Sequence, residues 1–148
     1  MFVHGPFESR DVVKLVGVPD RELRHWCDTK VLLPDIKNAV GRPGIRRQYS
    51  FENLVEARMI KCLLGYGVTH YQVSRILEIY RSSKYRQLPK PPGTLFLVIQ
   101  ENGQVDMVTK LGVRVDNFLD PNKGEEGLFV IAVHAIRKRL WEQVSQIG

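Results

Sequence analysis

Gln87–Gly93 reads QLPKPPG, and neither a helix nor a central strand can run through it. Proline has no amide hydrogen to donate, and its ring locks φ. Three prolines and a glycine in seven residues therefore divide the 148-residue chain into two parts. Before the break the apolar spacing is mainly helical. After it, strand-like and helix-like stretches alternate. The expected organisation is a helical module at 8–86, a linker at 87–93 and a small α+β unit at 94–148.

Charge respects the same division. Residues 1–92 hold 16 Lys/Arg against 9 Asp/Glu, whereas 93–148 hold 6 against 7. A basic module beside a neutral one points to a polyanion partner, with nucleic acid first. No apolar run reaches the roughly 18 residues that span a membrane. The opening MFVHGPFESR lacks the basic and then apolar pattern of a secretory leader. Cys27 and Cys62 are too few for a disulfide framework. A reducing, cytoplasmic location without a membrane partner is the expectation.

Along the first part, Ser9 is the expected cap of a helix at Arg10–Val16, stopped by Gly17. Val18-Pro19 leads into a second helix at Asp20–Thr29. Its first turn carries Asp20 and Glu22, which suit a positive helix N-terminus. Leu23 and Trp26 give it one apolar face. Helix, glycine turn, helix is the helix-turn-helix pattern. The loop Asn38–Gly44 separates two extended stretches, Val31–Lys37 and Ile45–Tyr49, which predict a β-hairpin wing. Ser50 caps a third helix at Phe51–Leu64, ended by Gly65-Tyr66-Gly67. Thr69 caps a fourth at His70–Ser83.

Beyond the linker, Thr94–Gln100 and Val105–Thr109 flank Glu101-Asn102-Gly103-Gln104, a strong hairpin signal. A short helix is expected at 113–119 and a loop at Pro121–Gly127. Leu128–Val133 suits either a buried strand or the start of a long helix. A strand is favoured, with a helix after it at His134–Val144.

Residues 8–80 resemble the N-terminal winged helix-turn-helix of MerR-family transcriptional regulators. VVKLVGV at 12–18, LRHW at 23–26, VLLP at 31–34, GIRRQYS at 44–50 and IKCLLGYGVT at 60–69 carry the resemblance in order and spacing. It implies a mainly α fold with a β-wing, here joined to the small α+β unit. It also implies double-stranded DNA as partner and a homodimer. The long C-terminal coiled coil typical of such regulators has no counterpart after Ser83, because no run of heptads is present there. The α+β unit is expected to take the dimerising or protein-docking role, with Tyr85 and Trp141 as candidate interface aromatics.

The candidate DNA-binding residues are Arg21, Arg24 and His25 on the second helix, Lys37, Arg42, Arg46, Arg47 and Tyr49 on the wing, and Tyr66 and His70 at the third-to-fourth helix turn. The N-terminal part of a recognition helix faces base edges in the major groove. Arginine grips guanine or phosphate through a two-pronged fork. The resemblance singles out Arg24, and it makes Arg47 and Tyr49 a phosphate clamp. Glu22 runs against this pattern, since its carboxylate repels phosphate unless it meets a cytosine amine or an arginine.

Neither cysteine stands at metal-ligand spacing with histidine. No phosphate-binding loop, nucleophile elbow or zinc-protease helix is present. The expectation is a sequence-selective DNA-binding regulator that is not an enzyme and needs no cofactor. The alternative is a protein-interaction adaptor, or an accessory DNA-binding subunit of a larger complex.

Overall fold

The computed structural model describes residues 5–38, 46–87, 93–100, 103–112, 116, 122 and 127–147. Packing groups the chain into two units, Met1–Glu78 together with Ile136–Gly148, and Ile79–Ala135.

The first unit opens with β1 (Phe7–Glu8) and α1 (Ser9–Val12), which widens into a π-type turn at Val13–Gly17. The cap of α1 is Glu8 and not Ser9, and the Glu8 amide donates to Asp11 Oδ2 at 2.8 Å. Gly17, at φ +78°, makes the bend into α2 (Asp20–Asp28). A side chain there would be strained in this left-handed conformation and would crowd Lys61 Nζ at 3.0 Å. The turn is tied to α3 (Phe51–Gly65), because Arg58 Nη1 donates to the Val16 carbonyl at 2.8 Å.

The end of α2 sets the course of the segment after it. Lys30 takes φ +64°, the conformation usually left to glycine at this position. The Lys30 amide then reaches the Cys27 carbonyl, and the Val31 and Leu32 amides reach that of Trp26. Val31 and Leu32 thus finish a helix, and Pro34 has no amide to offer. The Asp35 amide and the Leu33 carbonyl are taken by the Asn53 side chain. The expected strand over Val31–Lys37 is therefore reduced to Lys37, which forms a single antiparallel bridge to Gln48. The returning strand is short, β2 (Gln48–Tyr49), and it pairs with β1, Phe7 opposite Tyr49. The rest of the expected wing, Ala39 to Ile45 with Arg42, lies outside the described residues.

α3 begins as its sequence predicts, with the Ser50 hydroxyl accepting from the Asn53 amide at 3.1 Å. Its far end closes through Gly67 at φ +86°, with the Gly67 amide on Leu64 and the Val68 amide on Leu63. Thr69 then caps α4 (His70–Ser82) by accepting from the Gln72 amide. Trp26, Leu23, Val16, Leu54, Met59 and Ile60 are buried between these helices. Each such side chain contributes about 1.5–3 kcal/mol by leaving water.

In the second unit, α5 (Lys84–Gln87) precedes a three-stranded antiparallel sheet. Its strands are β3 (Phe96–Gln100), β4 (Val105–Val108) and β5 (Leu128–Ala132), in the order β4-β3-β5. Leu97 stands between Met107 and Ile131, so one face carries an apolar row. Leu128–Ala132 is a strand, and α6 (Val133–Ile147) continues from it without a break. The Leu95 backbone holds this junction, accepting from the Val133 amide at 2.9 Å and lying 3.1 Å from His134 Nδ1. The expected helix at 113–119 and the loop after it fall largely outside the described residues.

Expected as one unit, 94–148 is divided by its packing: Ile136–Gly148 groups with residues 1–78. Contacts to α3 hold it there. Arg137 grips the Glu52 carboxylate through both guanidinium nitrogens, and Trp141 meets Phe51 edge-on at 5.6 Å.

Asn53 is fully buried and spends every polar atom of its side chain. Its Oδ1 accepts from the Asp35 and Ser50 amides at 2.8 and 3.1 Å, and its Nδ2 donates to the Leu33 carbonyl and Glu56 at 2.9 Å each. Asn53→Ala leaves several buried groups unbonded and is expected to lower unfolding free energy by about 3 kcal/mol. Urea unfolding followed by circular dichroism measures this. A loss as small as that of a surface substitution would show that water replaces the amide.

Candidate nucleic-acid interface

α2 buries Leu23, Trp26 and Cys27 and exposes the rest of its surface. At 3.6 residues per turn, Arg21 and His25 form the ridge opposite the buried stripe. Arg24 and Asp20 occupy one flank, and Glu22 the other. Arg24 Nη2 lies 2.7 Å from Asp20 Oδ2, one turn back along the helix. Arg21 and Glu22 make no ion pair with any described residue.

Among the described residues, contacts from other elements flank the exposed face of this helix on two sides. On the wing side, Arg47 Nη2 donates to Asp28 Oδ1 at 2.7 Å, at the C-terminal end of α2. On the α4 side, the rings of His25 and His70 stand 5.2 Å apart, tilted by 54°. The base of the wing and the α3–α4 turn thus touch different parts of the same helix.

The wing residues separate by role. Lys37 is exposed, and its backbone is bridged to Gln48. Arg46 is exposed, with Nη1 3.6 Å from Glu8 Oε2. Arg47 keeps only 15% of its side-chain surface, and its Nε is buried without a hydrogen-bond partner. Tyr49 corrects the clamp assignment implied by the resemblance, because it is 1% exposed. Its hydroxyl lies 3.4 Å from both Cys27 Sγ and Ser9 Oγ, inside the module. Two residues apart, Arg47 and Tyr49 turn to the same side, toward α2, where Tyr49 meets Cys27 and Arg47 meets Asp28, so the job of Tyr49 is to fasten the wing.

At the α3–α4 turn, Tyr66 is 75% exposed and His70 is half-buried. Tyr71, absent from the sequence candidates, is 71% exposed beside them. It shows no helical periodicity toward a core, and a large aromatic in the first turn of a basic helix was the available signal. Arg21, Arg24, His25, Lys37, Arg46, Tyr66 and His70 are the sequence candidates that reach the surface of this module. Arg42 lies outside the described residues.

Within the described residues, no group of three or more His, Cys, Asp or Glu side chains is placed to hold a metal ion. No helix among them is long and apolar enough to cross a membrane.

This geometry coincides with a known class. Residues 7–79 match the model of the MerR HTH family regulatory proteins, and this stretch of the chain is a MerR-family helix-turn-helix domain. The chain is also similar to uncharacterized HTH-type transcriptional regulators of Mycobacterium bovis and Mycobacterium tuberculosis. It shares 26% identity with each over 134 residues, which is 90% of this chain and 55% of theirs. The chain therefore spans about half the length of the curated relatives it matches.

Burial raises the thiol pKa of both Cys27 and Cys62 above the ordinary cysteine range. The thiolate is the reactive form, so each thiol is expected to react more slowly than free cysteine at pH 8. Cys27 is fully buried and Cys62 is not, so a thiol reagent such as Ellman's should titrate one thiol in the native protein and two in denaturant. Rapid native labelling of Cys27, located by mass spectrometry, would contradict the buried Tyr49–Cys27 contact.

Proposed function

We propose that this protein is a DNA-binding transcriptional regulator that reads duplex DNA with the exposed ridge of α2. The observation that carries this reading is the ridge itself. Arg21, Arg24 and His25 project from a helix whose opposite face is locked into the module. Lys37 and Arg46 stand on the wing side, and His70 and Tyr66 on the α4 side. A helix of this kind enters the major groove, while flanking basic groups straddle the phosphate backbone.

In this reading the roles differ. Arg21 faces base edges from the centre of the ridge. Arg24 and Arg46 hold weak surface ion pairs with Asp20 and Glu8 and exchange them for phosphate on binding. Exposed pairs of this type are worth about 0–1 kcal/mol, so a phosphate contact displaces them readily. Arg47 and Tyr49 position the wing rather than touch DNA. The similarity to mycobacterial proteins named as HTH-type transcriptional regulators supports the assignment.

The regulator is proposed to act as a homodimer, since one module of this size reads few base pairs and paired half-sites extend the contact. The edge strand β5 of the second unit supplies a surface for pairing, with Val130 exposed on it.

Fluorescence-anisotropy titration with a duplex selected from a randomised library tests the reading at two salt concentrations. Arg21→Ala and Arg24→Ala are each expected to weaken binding about 10-fold, on the scale of about 1–3 kcal/mol for a specific arginine contact. Asp20→Asn releases Arg24 and removes a negative charge, so it should tighten binding and steepen the salt dependence. Absence of any salt-sensitive duplex binding would leave the protein-interaction adaptor as the better account. By sedimentation, Val130→Asp should shift the protein from dimer to monomer. An unchanged dimer would place the pairing surface elsewhere.

A further inference from the structure

We propose that Arg137, far from the DNA-facing ridge in sequence, is a positioning residue for the wing. The inference rests on the DNA-binding reading above and adds a part of the chain that no DNA-binding motif includes.

The geometry starts on α6. Arg137 and Trp141 are four residues apart and share one face of the helix. That face grips two consecutive residues of α3. The Arg137 guanidinium holds both Glu52 oxygens, Nη2 to Oε2 at 2.6 Å, and Trp141 meets Phe51 edge-on. The ion pair is shielded, with 16% and 25% of the two side chains exposed. A two-pronged pair in such a setting fixes direction as well as distance.

Glu52 and Phe51 are also the residues that join the wing to α3. β2 ends at Tyr49, and Ser50 caps the helix. Asn53, the next residue after Glu52, hydrogen-bonds the Asp35 amide and the Leu33 carbonyl on the outgoing side of the wing. Ser50 donates to Asp35 Oδ2 at 2.6 Å. One helical turn therefore clamps the outgoing side of the wing and leads directly from its returning strand, and α6 holds that turn from outside. Two residues before Tyr49, Arg47 bonds Asp28 of α2. A displaced first turn of α3 would shift Arg46 and loosen the contact between wing and recognition helix.

The test uses the full-length protein carrying Arg137→Ala, with Arg137→Lys as the conservative change. Lysine keeps the charge but loses the fork. Amide exchange by nuclear magnetic resonance reads the wing directly, because the Lys37 and Gln48 amides donate to each other's carbonyls. With Arg137→Ala these two amides should exchange about 10-fold faster, and affinity for the selected duplex should fall about 10-fold, in the range of coupling seen for contacting residues. Amides of α4 near Val73 and Leu77 should keep their protection. Arg137→Lys should lie between.

Unchanged exchange at Lys37 and Gln48 would overturn the proposal. So would equal acceleration throughout α3 and α4, which marks a general loss of stability. Faster wing exchange with unchanged duplex affinity would overturn it as well. If Arg137→Ala fails to fold, Glu52→Gln and Arg137→Lys carry the same two measurements. If the wild-type protein binds no duplex, the DNA-binding reading fails. The exchange data still decide whether Arg137 holds the wing.

Discussion

The buried amide of Asn53 holds together segments that have no regular structure of their own. Leu33–Asp35 cannot pair as a strand, because proline interrupts it and the preceding residues close α2. A backbone left in that state must find partners or lose the free energy of its unmade hydrogen bonds. Asn53 offers one acceptor and two donors at one point, and Ser50 adds a hydroxyl. The base of the wing, the start of α3 and the segment leaving the recognition helix thus become one rigid piece. Aspartate there would lose both donors, and leucine would lose all of the bonds.

The basic surface is organised by the same economy of partners. Glu8, Asp20 and Asp28 each stand beside an arginine of the candidate interface. Two of these pairs are exposed and contribute little to stability. The third is shielded on the arginine side, so Arg47 is held where Arg24 and Arg46 are only restrained. Identical side chains, all counted alike in a charge sum, therefore divide into a fixed brace and exchangeable contacts. The excess of positive charge in residues 1–92 remains a long-range attraction for a polyanion, while the carboxylates limit unselective binding.

Much of the helical module was legible along the chain. Gly17, Ser50, Gly67 and Thr69 punctuate helices where turn and cap chemistry requires them, and the bounds of α2, α3 and α4 agree within one residue, whereas those of α1 do not. The exception has a local cause, since Glu8 with Asp11 caps one residue earlier than Ser9 and the helix then widens into a π-type turn. Lys30 hid the course of the chain after α2, because a left-handed lysine leaves no glycine signal. Tyr49 misled for a similar reason. The Arg-x-Tyr pattern places both residues on one side of the strand, but only the packing of α1 and α2 shows that this side is covered.

The features determined by the sequence alone are therefore local or additive: the proline break, the order of helices, the separation of charge, and the helix-turn-helix pattern that residues 7–79 share with the MerR family. Each arises from a residue's own backbone preference or from a sum over neighbours. The tertiary structure alone decided which basic residues are available, where Tyr49 points, and that Ile136–Gly148 joins the first unit. Those outcomes depend on contacts between residues far apart in the chain, such as Arg137 with Glu52. No local propensity specifies such a meeting. It is set by which apolar faces bury one another and which polar groups are left needing a partner.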